Sequence, residues 1–357
     1  MGPKEFAGTM PVTAAQRFDE HSLEHYLLRA LPGFTGALQV QQFRGGQSNP
    51  TFLLTAGDGA RYVLRKKPAG VLLPSAHAVD REFRVISALY PTGFPVARPY
   101  VLCEDPTVIG TAFYVMGYAD GRNFWDPTLP GLARAERGAV YDEMNRVLAR
   151  LHGLDFAALG LADYGKPGNY FARQIARWSK QYRASETERI VAMERLLAWL
   201  PEHVPAGDDS ALVHGDYRLD NMIFAAAEPR VLAVVDWELS TLGHPIADFS
   251  YHVMAWRVPA GDNNRGLGGL DLASLGIPSE AEYVRAYCER TGRPGIEPAV
   301  WEFCMAYNLF RIACIRQGIM RRLLDGTAAS EHAREAGARV GETAELGWRQ
   351  VEARRPA

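Results

Sequence analysis

Hydrophobic and polar positions alternate with a strand-like period in the first third of the chain and follow a helical period over most of the rest. The period-two segments predict strands over 38–43, 51–55, 61–66 and 111–118. Apolar residues spaced three and four apart predict helices over 22–31, 78–89, 133–152, 170–199, 279–291, 297–324 and 328–353. The order of these elements predicts an α+β chain, with a small β-rich part followed by a larger helical part.

Composition limits the classes of protein. A chain of 357 residues with 47% hydrophobic residues can build two packed lobes, and a net charge of −2 gives no general attraction to nucleic acid. The four cysteines form no C-x-x-C pair, which favours reduced core thiols and a cytoplasmic location. We see no charged-then-apolar leader and no long apolar run, so we expect neither secretion nor membrane spanning. The sequence leaves a homodimer open.

One polar segment carries the strongest candidate chemistry. Residues 213–221 read Val-His-Gly-Asp-Tyr-Arg-Leu-Asp-Asn, and an apolar run, predicted to be a strand, then presents Asp236 at its end. Phosphoryl transfer needs a carboxylate near the acceptor hydroxyl and oxygen ligands for Mg²⁺. Asp216 suits the first role, Asn221 and Asp236 suit the second, and Arg218 can steady the transferring phosphate. A lone Asp at a strand end is more often a turn former, but the joint spacing favours the site.

The segments HGDYRLDN and VVDWELSTLGHPIADFS resemble the aminoglycoside phosphotransferase and choline kinase-like family, which is related to the protein kinases. The resemblance implies an ATP- and Mg²⁺-dependent kinase with a bilobal protein kinase-like fold. In it, Asp216 matches the catalytic aspartate, Asn221 the loop asparagine and Asp236 the magnesium aspartate. Trp237-Glu238 takes the place of Phe-Gly, as is usual in the small-molecule branch.

The same resemblance implies an organisation of the chain. Residues 1–20 are expected to be a variable N-terminus, 21–118 a nucleotide-covering N-lobe with an antiparallel sheet, and 119–357 a mainly helical C-lobe with the catalytic loop and acceptor site. Asp248 resembles a structural aspartate that braces the catalytic loop. The Gly-rich stretch 259–269 is expected to be mobile.

Phosphate-binding groups are expected in the N-lobe. Ser48 and Asn49 lie in the turn predicted over 44–50, and this position makes them candidates for phosphate contacts. Asp58-Gly59 predicts a type I′ turn, after which the next strand carries a basic residue over the nucleotide. The resemblance aligns Arg65 with that residue, while Lys66 and Lys67 stay as alternatives.

Glu82 interrupts the apolar stripe of the helix that begins near residue 78. A carboxylate in such a stripe needs a cationic partner, which makes Glu82 the expected mate of Arg65. The alternative is a local pair with Arg81 or Arg84. The resemblance also implies that residues 116–118 form a hinge, in which the backbone groups of Met116 and Tyr118 bind adenine. Gly121 is then expected to let the chain turn into the C-lobe.

The acceptor is the least determined part. Basic and aromatic residues are expected at its border, namely Trp256, Arg257, Trp301, Tyr307, Arg311, Arg316, Arg321 and Arg322. Segments 62–68 and 73–82 also resemble the kinase domain fused to certain acyl-CoA dehydrogenases, which implies a hydroxyacyl-CoA or a related anionic acceptor. The alternatives are an aminoglycoside antibiotic as acceptor, or a non-catalytic nucleotide-binding regulator.

Overall fold

The chain divides into two compact units. The computed structural model describes residues 8–44, 49–68, 78–207, 209–261, 266–326 and 331–353. The first unit spans residues 1–147, 157–161 and 218–240, and the second spans 148–156, 162–217 and 241–357. Ser48 lies outside the described residues, as does the central part of the stretch 259–269. The predicted lobe boundaries stay a prediction.

An antiparallel sheet of six strands dominates the first unit, and the order of its strands is β1-β2-β3-β4-β6-β5. These strands are β1 (Thr9–Met10), β2 (Gln39–Phe43), β3 (Thr51–Thr55), β4 (Arg61–Lys66), β5 (Pro99–Cys103) and β6 (Phe113–Gly117). Two antiparallel pairs follow, in which β7 (Ala211–Val213) pairs with β10 (Thr241–Gly243) and β8 (Met222–Phe224) pairs with β9 (Val231–Val234). The predicted strands of the sheet are confirmed within two residues.

The turn between β3 and β4 differs from the prediction. The Gly59 N–H donates to the Ala56 carbonyl at 2.9 Å, and of the turn residues only Gly59 has positive φ, at 85°. A type I′ turn requires positive φ at both central residues, so this connection is instead a three-residue loop that ends in a left-handed glycine. The predicted turn type was wrong because Asp58 does not adopt a positive φ.

The helices are α1 (Glu20–Ala30), α2 (Val79–Leu89), α3 (Pro106–Ile109), α4 (Arg134–His152), α5 (Tyr170–Ser185), α6 (Val191–Glu202), α7 (Pro245–Val253), α8 (Leu272–Leu275), α9 (Glu280–Thr291), α10 (Pro298–Leu324), α11 (Glu331–Ala338) and α12 (Val340–Ala353). Two predicted helices are broken in the structure. The helix expected over 170–199 ends at Ser185, because Glu186 turns to extended backbone with ψ of 130°. The last helix divides into α11 and α12.

Each unit has its own core. In the first, α1 places Leu27 against Phe52, Leu64 and Phe113 of the sheet, and all four side chains are fully buried. In the second, α10 packs against α5, α7, α11 and α12 and buries most of its apolar residues. All four cysteines are buried and free, which confirms the prediction of core thiols. Across the described residues, no helix combines the length and apolar character needed to cross a bilayer.

Candidate active site

A buried ion-pair cluster lies on one face of the sheet in the first unit. Arg65 Nε lies 3.0 Å from Glu82 Oε2, and Arg65 Nη2 lies 2.6 Å from Asp236 Oδ1 and 3.6 Å from Glu238 Oε2. Arg65 is 7% exposed and Glu82 is 1% exposed. The predicted Arg65–Glu82 pair is thus confirmed.

Strand register explains why these side chains meet. Arg65 on β4 stands opposite Tyr114 on β6, and residues directly opposite each other project from the same face of a sheet. The Tyr114 hydroxyl donates to Glu82 Oε2 at 3.2 Å, and the Asn49 side-chain amide donates to Glu82 Oε1 at 2.8 Å. Glu82 on α2 therefore accepts from three side chains, which holds the pair in one geometry.

The two lysines that follow Arg65 contact residues outside this cluster. Lys66 alternates to the other face, where its ammonium lies 5.9 Å from the ring centroid of Phe52, and burial lowers its pKa. Lys67 lies 3.5 Å from Asp80. Of the three basic residues, Arg65 is the one that joins the cluster.

The β8–β9 hairpin brings the two expected metal ligands together. Met222 pairs with Val234, and the Val235 N–H donates to the Asn221 carbonyl at 2.9 Å. Asn221 and Asp236 therefore stand at adjacent ends of one hairpin in the first unit. The strand itself ends at Val234, two residues earlier than the sequence pattern indicated.

Asp236 has an unusual backbone conformation, with φ of 67° and ψ of 59°. This left-handed region is uncommon for residues other than glycine, although Asp and Asn tolerate it, and such residues cluster at functional sites. The following Trp237 fixes the turn, because its indole N–H donates to the Val234 carbonyl at 2.9 Å and the side chain is 2% exposed. Trp237 is thus an anchor for the Asp236 carboxylate.

The donor set fits Mg²⁺. Asp236 offers a carboxylate that is 31% exposed, and Asn221 offers an amide oxygen, both of them hard ligands. In the ranges that the structure describes, no three His, Cys, Asp or Glu side chains form a group able to hold a metal ion. Two protein ligands agree with Mg²⁺, which usually keeps waters and substrate phosphates as its other ligands.

The expected hinge follows β6. Met116 lies within the sheet, and Tyr118 is half-buried beneath the guanidinium of Arg61, whose carbon lies 4.2 Å from the ring centroid. A Cβ on Gly121 would lie 2.1 Å from the Phe224 carbonyl oxygen. Only glycine fits this approach of two backbones within the first unit. The adenine contacts of Met116 and Tyr118 stay a prediction.

The segment 214–216 lies in the second unit, directly after β7. Asp248 of α7 accepts hydrogen bonds from the backbone N–H groups of His214 and Gly215, each at 2.8 Å, and His152 Nε2 lies 3.1 Å from the same carboxylate. Burial opposes ionisation of Asp248, but the bonds from His152 and the backbone outweigh it, so its pKa lies below the ordinary value. The expected bracing role of Asp248 is confirmed.

Asp216 is half-buried at the end of this loop, where two further residues approach it. The Tyr251 hydroxyl donates to Asp216 Oδ1 at 2.5 Å, and Arg311 Nη2 donates to the Gly215 carbonyl at 2.7 Å. The other predicted loop residue, Arg218, belongs to the first unit, where its Nη2 lies 3.1 Å from Asp220.

Several residues expected at the acceptor border have structural roles instead. Trp301 and Tyr307 are buried in the core of the second unit. Arg257 pairs with Glu280 at 2.6 Å and also with Glu302, so its charge is neutralised. Arg257 therefore gives no support to the prediction of an anionic acceptor.

Sequence reasoning missed several contacts of the candidate residues. Among them are those of Glu238 and Tyr114 in the first unit and of Tyr251 and His152 in the second. Only Glu238 had a signal, since it follows Trp237 in place of the glycine of protein kinases. The other three depend on residues that are remote in sequence.

Comparison with known proteins agrees with this geometry. The sequence signature described as the phosphotransferase enzyme family matches residues 39–299. The chain belongs to this family. The prediction of a small-molecule kinase with a protein kinase-like α+β fold is thereby confirmed.

Relatives of this phosphotransferase include longer proteins. Acyl-CoA dehydrogenase family member 10 of Mus musculus is 47% identical over 342 residues, which cover 95% of this chain and 32% of that protein. Family member 11 of Mus musculus is 46% identical over 90% of this chain and 42% of that protein. The chain therefore spans less than half the length of these relatives, and the resemblance to their kinase-like part is confirmed.

A solved structure from Ralstonia eutropha matches the whole fold. It is 53% identical, covers 95% of this chain and 100% of that chain, and has a TM-score of 0.86. That protein is provisionally assigned as an aminoglycoside phosphotransferase.

Proposed function

We propose that this phosphotransferase transfers the γ-phosphoryl group of Mg-ATP to a hydroxyl group of a small molecule. The observation that carries the proposal is the hairpin that presents Asn221 and Asp236 beside each other, with Asp236 paired to the buried Arg65–Glu82 couple. A basic residue fixed by a glutamate and two oxygen ligands for magnesium are the parts that ATP-dependent phosphoryl transfer requires.

The nucleotide side of the reaction is assigned to the first unit. Arg65 would bind the α- and β-phosphates, and Glu82 holds its guanidinium in place. Asn49 is engaged with Glu82, which supports a role in positioning rather than a direct phosphate contact. Asn221 and Asp236 would hold Mg²⁺, which neutralises charge on the polyphosphate when bound. Met116 and Tyr118 would contact the base, and Ser48 remains a predicted phosphate contact.

The acceptor side is assigned to the second unit. Asp216 would accept the proton of the acceptor hydroxyl while the new oxygen–phosphorus bond forms and the bond to the leaving ADP breaks. Its half-buried carboxylate, held at one oxygen by Tyr251, suits a base with a fixed direction. Arg218 of the first unit would steady the transferring phosphate.

We further propose a hydroxyacyl-CoA as the acceptor. The support is that relatives named as acyl-CoA dehydrogenases match 90% or more of this chain at 46–47% identity. The name of the Ralstonia eutropha protein supports an aminoglycoside as the second candidate. The buried free thiols support a cytoplasmic location, and the homodimer stays a prediction.

Two matched substitutions test the assignment of roles. In Asp216→Asn we expect turnover to fall by roughly 100-fold or more, as for loss of a general base, with ATP affinity unchanged. In Asp236→Asn we expect Mg-ATP to bind more weakly by calorimetry. Asp325→Asn, which alters an exposed pair with Arg321, is the control and should match the wild type. Normal Mg-ATP affinity in Asp236→Asn would contradict the metal role.

A further inference from the structure

Three side chains of the second unit hold three consecutive residues of the HGD segment. Asp248 accepts from the N–H groups of His214 and Gly215, Arg311 donates to the Gly215 carbonyl, and Tyr251 donates to the Asp216 carboxylate. The contacts of Asp248 and Arg311 fix the backbone up to the residue next to the base. The contact of Tyr251 acts on the base itself.

Helical spacing explains how one helix holds both the backbone and the side chain. Asp248 and Tyr251 are three residues apart on α7, so they lie on the same face, one turn from each other. Tyr251 is 6% exposed, which keeps its hydroxyl in one position. A hydrogen bond between a hydroxyl and a carboxylate is among the stronger kinds, and here its length is 2.5 Å.

Arg311 joins the arrangement from α10. The residue is 6% exposed, and its guanidinium carbon lies 4.9 Å from the ring centroid of Tyr251 and 5.7 Å from that of Trp178. Within the described part of the chain, no carboxylate lies within ion-pair distance of it. Burying a cation without an ion pair is unfavourable, so an arginine serving only to pack α10 would be poorly placed. Arg311 instead contacts the Gly215 carbonyl and the aromatic ring of Tyr251.

We infer that Tyr251 and Arg311 are positioning residues that hold the Asp216 carboxylate in its working orientation. The inference rests on the proposed function, in which Asp216 is the base. Tyr251 fixes Oδ1 of that carboxylate, and Arg311 fixes both the preceding carbonyl and the plane of the tyrosine ring. A base held in this way needs less reorganisation when it meets the acceptor hydroxyl.

The test compares Tyr251→Phe with Tyr283→Phe in the full chain. Tyr283 is the matched control because it is 2% exposed and its hydroxyl bonds to His252 Nε2 at 2.8 Å rather than to Asp216. ADP release from Mg-ATP is measured with water and with a 4-hydroxyacyl-CoA, and Asp216→Asn is included. We expect Tyr251→Phe to lower kcat by roughly 10- to 100-fold with KM for ATP unchanged. Tyr283→Phe should stay within about twofold of the wild type.

A pH profile separates positioning from loss of structure. The groups that face Asp216 include Tyr251 from α7, Arg311 from α10 and His214 of the same segment, whose Nδ1 accepts from the Asp216 N–H. A carboxylate that loses a donor ionises less readily, so the acidic limb of kcat should move to higher pH in Tyr251→Phe. If Tyr251→Phe only reduced the fraction of folded protein, kcat would fall by the same factor at every pH.

Two results would overturn the inference, and they are distinguishable. If Tyr251→Phe keeps the wild-type rate and pH profile while Asp216→Asn is inactive, the proposed function stands and the positioning role falls. If Asp216→Asn turns over as fast as the wild type, the assignment of the base falls, and the inference falls with it.

Discussion

Replacing Glu82 with glutamine removes one charge from the buried cluster while keeping its shape. In the native chain Glu82 accepts from Arg65, Asn49 and Tyr114. A glutamine offers one acceptor oxygen and an amino group that is itself a donor, so at least one buried donor loses its partner. Removing one member of a buried ion pair typically costs about 3–5 kcal/mol. Because Arg65 keeps Asp236 at 2.6 Å, we expect the lower end, about 3 kcal/mol.

Urea denaturation followed by circular dichroism measures this loss. With a slope of about 2–3 kcal/mol per molar, the midpoint should fall by roughly 1 M. Glu228→Gln is the control, since Glu228 and Arg230 are 63% and 59% exposed and pairs of this kind contribute no more than about 1 kcal/mol. Equal midpoints for the two variants would refute the description of Glu82 as the centre of a buried cluster.

Two further predictions concern stability. Burial lowers the pKa of His252 to about 4, so the unfolded chain binds a proton at higher pH than the native chain, and stability should fall as pH drops from 6.5 towards 4. Denaturation at pH 7 and 4.5 should show a loss of about 2–3 kcal/mol from this group, which His252→Gln abolishes; an unchanged loss in the variant would contradict the assignment. Gly121→Ala should destabilise by about 1–3 kcal/mol, because its Cβ would meet the Phe224 carbonyl oxygen at 2.1 Å. Gly341→Ala, with nothing within 4 Å, should instead stabilise by up to about 1 kcal/mol, and a similar melting temperature for both would count against the close approach.

Local signals accounted for much of the fold. The strands over 51–55 and 61–66 have the predicted bounds, because alternation and the turn residues between them act on neighbouring positions. The Arg65–Glu82 pair also follows from a local argument, since a carboxylate in an apolar stripe requires a cation. The resemblance of the HGD segment added the bracing role of Asp248, which no spacing rule supplied.

Tertiary contacts account for what was missed. The helix expected over 170–199 breaks after Ser185, whose carbonyl accepts from the Gln317 side chain 132 positions later. Apolar periodicity continues on both sides of this break, so the pattern alone does not reveal it. Tyr251 and Arg311 likewise contact the HGD segment from 35 and 96 positions away in sequence. The sequence placed Arg311 at the acceptor border rather than beside Asp216, and it did not single out Tyr251.

Transfer of label from γ-³²P-labelled ATP tests the central claim most directly. Purified protein with Mg²⁺ would be given 3- and 4-hydroxyacyl-CoAs, choline, homoserine and kanamycin, and the products separated by chromatography. We expect label on a hydroxyacyl-CoA with the wild type and none with Asp216→Asn. Label on kanamycin alone would keep the kinase and replace the proposed acceptor. ATP that binds yet transfers label to none of these acceptors, and not to water, would contradict phosphoryl transfer by this site.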